Sequence, residues 1–210
     1  MSIENSTNNL YNKANTYVDD FSPPFNFELI EQGVKMILQG IGEDINRDGL
    51  KRTPYRVAKM YRELCSSIQK PMQELEITTF HDEATGEIIV VKDIYFSTIC
   101  EHHLLPFFGL AHIAYSPGNN KIIGLSKLAR IVDYHAKKLQ VQERMTREIA
   151  KTISNSLNAQ GVMVMLKAEH LCMSIRGTNK PGSKTNTIYS LGSFARDERA
   201  KAQAFDLIKF

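Results

Sequence analysis

The spacing of apolar residues divides the chain into a helical beginning, a β-rich middle and a mixed second half. From Phe27 the positions Phe27, Ile30, Val34, Ile37, Leu38 and Ile41 recur at helical intervals, with Asn26 placed to cap the start and Gly40 and Gly42 to end it. A second amphipathic helix opens at Thr53-Pro54, a capping residue followed by proline, and carries Val57, Met60, Tyr61, Leu64, Cys65 and Ile68 on one face. Cys65 on that stripe reads as a small buried hydrophobe. The pattern then becomes that of strands, at Ile77 to Phe80, Ile88 to Val91, Ile94 to Ile99 and Phe107 to Tyr115, before the turn Ser116-Pro117-Gly118-Asn119-Asn120 and the segment Lys121-Ile122-Ile123. Helices are predicted again from Ser126 to about Lys137 and from Val141 to Leu157. In the second of these Met145, Ile149, Ile153 and Leu157 repeat every fourth residue and Gly161 lies just beyond. Val162 to Met173 and Thr185 to Leu191 read as strands, and Asp197 to Ile208 as a terminal helix. Runs of strands and helices, without strict alternation, predict an α+β fold with antiparallel pairing.

Composition narrows the partners. With 210 residues, 42% of them hydrophobic, the chain can bury a core without staples, and 26 basic against 23 acidic residues leave a net charge of only +3. That balance excludes the basic excess of a protein that binds a nucleic acid polymer. Residues 1–24 are asparagine-rich, end in Pro23-Pro24 and lack a hydrophobic period, so they read as a flexible arm. The start is not that of a secretory signal, and no apolar run approaches the roughly eighteen residues of a spanning helix, so no membrane partner is expected. Cys65, Cys100 and Cys172 are an odd number of cysteines, which suits a reducing, cytoplasmic setting.

Two of those cysteines sit among other metal-capable groups. Cys100-Glu101-His102-His103 follows a predicted strand, where a loop can turn several ligands toward one point, and thiolate with imidazole suits zinc. In Glu169-His170-Leu171-Cys172 the alternation of a strand would send His170 and Cys172 to one face. Two cysteines and one histidine would leave a coordination position for water, as in a catalytic site, with the remaining histidines available for proton transfer. Spacing alone leaves open a hydrolytic zinc, a structural zinc or no metal, and it does not choose between His102 and His103. Asp44-Ile45-Asn46-Arg47-Asp48-Gly49 matches the opening of a calcium loop, but Tyr55 stands where the bidentate glutamate belongs, so it reads as a polar turn. Ser126, Lys127 and Arg130 begin a helix whose free N–H groups favour phosphate; Arg176 follows Cys172, and Arg56 and Lys59 lie three apart. Each such group is ordinary solvated surface unless it converges on the metal-capable cluster.

Taken together, these segments resemble a known family. Cys100 to His103, Ile123-Gly124-Leu125-Ser126-Lys127-Leu128-Ala129-Arg130, Gln140-Val141-Gln142-Glu143-Arg144 and Glu169 to Cys172 closely resemble signature segments of GTP cyclohydrolase type I. Arg52-Thr53-Pro54-Tyr55-Arg56-Val57-Ala58 and Ser190-Leu191-Gly192 extend the match to roughly residues 27 to 208. The resemblance implies that Cys100, His103 and Cys172 bind Zn2+ and that His102 and His170 form the acid–base pair. It further implies that Glu143, with Gln142 beside it, receives the guanine edge of GTP, and that Lys127, Arg130, Arg176, Arg56 and Lys59, assisted by Ser126, hold the triphosphate. The implied fold is the tunnelling fold, with an N-terminal helical region over 25–75 and a catalytic domain over 76–210. The implied assembly is a toroidal homodecamer with active sites between subunits. Two other classes compete: the nitrile reductase of queuosine synthesis on the same fold, which would not need the Cys100, His103 and Cys172 set, and a non-catalytic zinc module that binds nucleotides or a protein.

Overall fold

A computed structural model describes residues 24–81 and 87–209, so the expected arm lies almost wholly outside the described residues. Helix α1 spans Phe27–Gly40, and the Asn26 side chain caps it by accepting the Leu29 N–H at 2.8 Å. Helix α2 spans Thr53–Leu64 with Pro54 in its first turn. Thr53 is not its cap, contrary to expectation. Its N–H donates to the Leu50 carbonyl and its hydroxyl to the Gly49 carbonyl, so the polar turn before it leads straight into the helix. Cys65 is the C-cap of α2 and lies half-buried at the wall of an apolar cavity of about 690 Å³ between α1, α2, Leu104 and Leu139. The stripe carrying Cys65 thus faces α1 and not the main core.

After a 3-10 turn at Met72–Glu74 come β1 (Thr79–His81), β2 (Ile89–Cys100), β3 (Pro106–Ser116) and β4 (Lys121–Ile123). Two of the expected strands are one, because an irregularity in register between Val91 and Ile94, with Asp93 at φ +58°, lets β2 continue through it. The remainder is α3 (Leu125–Ala136), β5 (Leu139–Gln140), α4 (Gln142–Leu157), β6 (Gly161–His170), the single turn α5 (Leu171–Ser174), β7 (Thr185–Gly192), the short α6 (Ser193–Arg196) and α7 (Glu198–Lys209). Asn158, in the left-handed region at φ +48°, ends α4, whereas Gly161 opens β6.

Strands β1 and β4 pair by themselves, while the main sheet has the order β5-β2-β3-β6-β7 and is antiparallel except where β5 runs parallel to β2. This is an α+β fold. Met145, Ile149, Ile153 and Leu157 on α4 are fully buried with Ile131 and Val132 of α3 in the core that covers one face of the sheet. Each such side chain contributes about 1.5–3 kcal/mol relative to exposure. On the other face Ala114 and Met163 pack under Phe194, Ala204 and Ile208. Among the described residues no helix is long and apolar enough to cross a membrane.

Candidate metal and active site

Register brings the two metal-capable segments to one end of the sheet. Strands β2 and β6 both run antiparallel to the β3 between them, so their final residues, Cys100 and His170, flank its beginning: Ile99 pairs with Pro106 and Phe107 with His170. The β6 strand stops at His170. Cys172 reaches the site not by strand alternation, as expected, but because Leu171–Ser174 turns as a helix and folds the chain back. One ligand atom from each of Cys100, His170 and Cys172 then lies within 4.8 Å of the others.

These three are the described group able to hold a metal, and two sulfurs with an imidazole nitrogen form a donor set suited to zinc. Ligand atoms of a tetrahedral zinc site stand about 3.6–3.8 Å apart, so separations of at most 4.8 Å put both thiols and the His170 ring at the scale of one such site. Burial, and then the neighbouring Cys100 sulfur, push the Cys172 thiol up. Two adjacent thiols resist losing both protons unless a cation joins them, which is what a divalent metal supplies. The residues present fit zinc.

His102 and His103 are exposed on the turn between β2 and β3. That turn is closed by the Leu104 N–H bonding to the Cys100 carbonyl and the Cys100 N–H to the Leu105 carbonyl, with Leu104 at φ +54°. A leucine in that region costs about 1–2 kcal/mol, so surrounding contacts must hold the turn. They come from α4. Arg144 donates to a Glu101 carboxylate oxygen, to the Gln140 side-chain oxygen at 3.0 Å and to the Leu139 carbonyl at 3.0 Å. The Glu101 N–H itself bonds to the Gln140 carbonyl at 3.1 Å. Gln140 is buried and also donates to Glu148 at 3.0 Å and to the His135 carbonyl at 2.9 Å. Burial alone would raise the Glu148 carboxyl, yet its bonds to His135 and Gln140 hold it at about 2. Arg144 therefore pins the residue next to Cys100 to a rigid helix. Arg144→Met is expected to leave the fold intact and weaken zinc binding about 10- to 100-fold, as loss of a ligand-orienting contact does; competition with a chromophoric chelator measures it.

His170 lies flat on Phe107, with ring centroids 4.4 Å apart and 7° between planes, and its Nε2 is 2.8 Å from the Gln142 side-chain oxygen. Burial lowers its pKa, opposed by the Glu143 carboxylate. Next to it, Glu169 is held at about 2 by Lys184, Ser174 and the Gly182 N–H, which ties the 174–184 loop to the end of β6. Glu143 is exposed in the first turn of α4, whereas the Gln142 side chain is buried and already bonded within the protein.

The basic residues stand less close together. Lys127 and Ser126 are in the first turn of α3, and Arg176 is exposed two residues beyond α5. Arg130 lines a cleft of about 590 Å³ together with Lys70, Glu74, Asp133 and Lys137, and none of Cys100, His170 and Cys172 borders that cleft. Arg56 bonds to the Gly49 carbonyl at 2.9 Å, and Lys59 is exposed on α2. Sequence reasoning missed the roles of Glu101, Arg144 and Gln140, although all three lie inside the signature segments. The signal was there in opposite charges at Glu101 and Arg144, beside the candidate ligands and the candidate guanine contact.

A family model described as GTP cyclohydrolase I matches residues 30–209. GTP cyclohydrolase 1 of Geobacillus kaustophilus (strain HTA426) is 50% identical over 187 residues, 89% of this chain and 99% of the relative. That of Clostridium perfringens (strain 13 / Type A) is 49% identical over 181 residues, 86% of this chain and 97% of the relative. Among solved structures, apo archaeosine synthase QueF-Like aligns with a TM-score of 0.43 at 12% identity, covering 51% of this chain and 96% of that one.

Proposed function

The chain belongs to the GTP cyclohydrolase I family, and on that premise we propose that Cys100, His103 and Cys172 hold a zinc ion beside which GTP and water become 7,8-dihydroneopterin 3′-triphosphate and formate. The observation that carries this reading is the meeting of Cys100, His170 and Cys172 at one end of the sheet, beside the α4 turn that presents Glu143. When bound, zinc supplies Lewis acidity that makes water a competent nucleophile near neutral pH. Around it, His170 takes a proton from the water that adds at C8 and returns it to the imidazole-ring nitrogen of the purine, so that the ring opens. His102 serves the later proton transfers, in which formate leaves and the sugar carbons rearrange and reclose on the diamine. His170 sitting close to both thiols suits a proton carrier adjacent to the metal as well as it would suit a ligand.

Glu143 offers two acceptor oxygens to the paired ring N–H and amino donors of guanine, a pattern adenine lacks. Glu143→Gln turns one acceptor into a donor that faces donors. The KM for GTP is expected to rise about 10- to 100-fold, with narrowed discrimination against ATP; steady-state kinetics on both nucleotides measure it. Lys127, Arg130, Arg176, Arg56 and Lys59, with Ser126, bind the triphosphate. Their scatter over one subunit fits a toroidal, tunnelling-fold decamer whose sites combine residues from neighbouring copies. Incubating the assembled, zinc-loaded protein with GTP tests the reading. Equimolar formate and a fluorescent pterin are expected, and absence of both overturns it.

A further inference from the structure

We propose that Gln142 is a positioning residue that fixes His170 as the Nε2–H tautomer and leaves Nδ1 as the only lone pair on that ring. The inference rests on the reading of His170 as the proton carrier beside the metal.

Gln142 is the first residue of α4, and its side chain, 1% exposed, reaches between β6 and β7. Its carboxamide nitrogen lies 3.1 Å from the Leu166 carbonyl, 3.0 Å from the Thr185 carbonyl and 3.1 Å from the Thr187 hydroxyl. Backbone carbonyls can only accept, so the nitrogen must face them. The reverse orientation would set the amide oxygen against two carbonyl oxygens in a buried place. The third contact is fixed as well. Thr146 donates its one hydroxyl hydrogen to the Gln142 carbonyl at 2.7 Å, so in the 2.6 Å contact between Thr146 and Thr187 it is Thr187 that donates. Thr187 then has no hydrogen to offer Gln142 and can only accept, so the two amide hydrogens are shared among three acceptors.

With the nitrogen committed, the Gln142 oxygen faces His170 Nε2 at 2.8 Å, and an oxygen without hydrogens must receive one. Nε2 of His170 therefore carries hydrogen. The ring lies flat on Phe107, and a half-turn about its Cβ–Cγ bond would place carbon Cε1 where Nε2 meets Gln142 and lose that hydrogen bond. What remains for chemistry is Nδ1, held in one direction by a network in which every donor has an acceptor. Gln142 thus sets which atom of His170 takes and returns a proton, while guanine recognition is left to Glu143.

The test begins with the wild-type chain. Labelled with 15N-histidine and examined as the sedimented assembly by solid-state NMR, with and without zinc, it should give a neutral Nε2–H signature for the resonance that disappears in His170→Asn. A neutral Nδ1–H signature overturns the proposal without recourse to any Gln142 variant. Gln142→Leu removes the acceptor and is expected to mix the tautomers and lower kcat about 10- to 100-fold, with KM for GTP within about threefold and zinc content unchanged. A raised KM with weakened guanine selection and an unaltered His170 spectrum would make Gln142 a substrate contact and overturn the assignment. Failure of the wild-type protein to release formate would strike the proposed function and would leave the tautomer measurement standing.

Discussion

Replacing Cys172 by serine should empty the zinc site and reduce turnover by more than about 10³-fold, because a serine hydroxyl stays protonated near neutral pH and is a far poorer zinc ligand than thiolate. The change is small in volume and falls on the one-turn α5, where Cys172 is only half-buried. The fold should survive, because Cys172 itself belongs to neither hydrophobic core. Metal content by atomic spectroscopy should drop from about one zinc per chain to near none, with unchanged circular dichroism. Full zinc retention with normal turnover would refute the role.

Alanine at each of three histidines should separate the ligand from the proton carriers. His103→Ala is expected to lose zinc, whereas His102→Ala and His170→Ala keep it and lose about 10²- to 10⁴-fold in kcat, the usual worth of a positioned acid or base. The comparison is demanding because the ring closest to the two thiols belongs to His170, while His103 stands exposed on the adjoining turn. Zinc retained by His103→Ala and lost from His170→Ala would transfer the third ligand to His170. Metal content and single-turnover formate release on the same preparations decide between them.

Local signals were legible where one physical cause dominated. The apolar repeat of α4 and the Asn26 cap of α1 follow from side-chain spacing and one hydrogen bond, and both stand where the pattern put them. The Asp93 irregularity was hidden because a strand that continues through a bulge loses its alternation there. The end of β6 at His170 was hidden for another reason: Leu171 to Ser174 is as apolar as a strand but turns as a helix, with the Ser174 hydroxyl bonded back to Glu169 and Glu169 in turn held by Lys184, fifteen residues on. For the site, residue type and spacing exposed the two thiols and the histidines. The support beneath them was not legible, since Arg144 with Glu101 and Gln142 with His170 join residues 43 and 28 positions apart and only the folded register brings them into contact.

Titration of zinc into metal-free, assembled protein, with formate release from GTP followed at each addition, tests the account most directly. Formate release should rise with added metal and level off near one zinc per chain. Full formate release without metal, or none from protein carrying one zinc per chain, would contradict it.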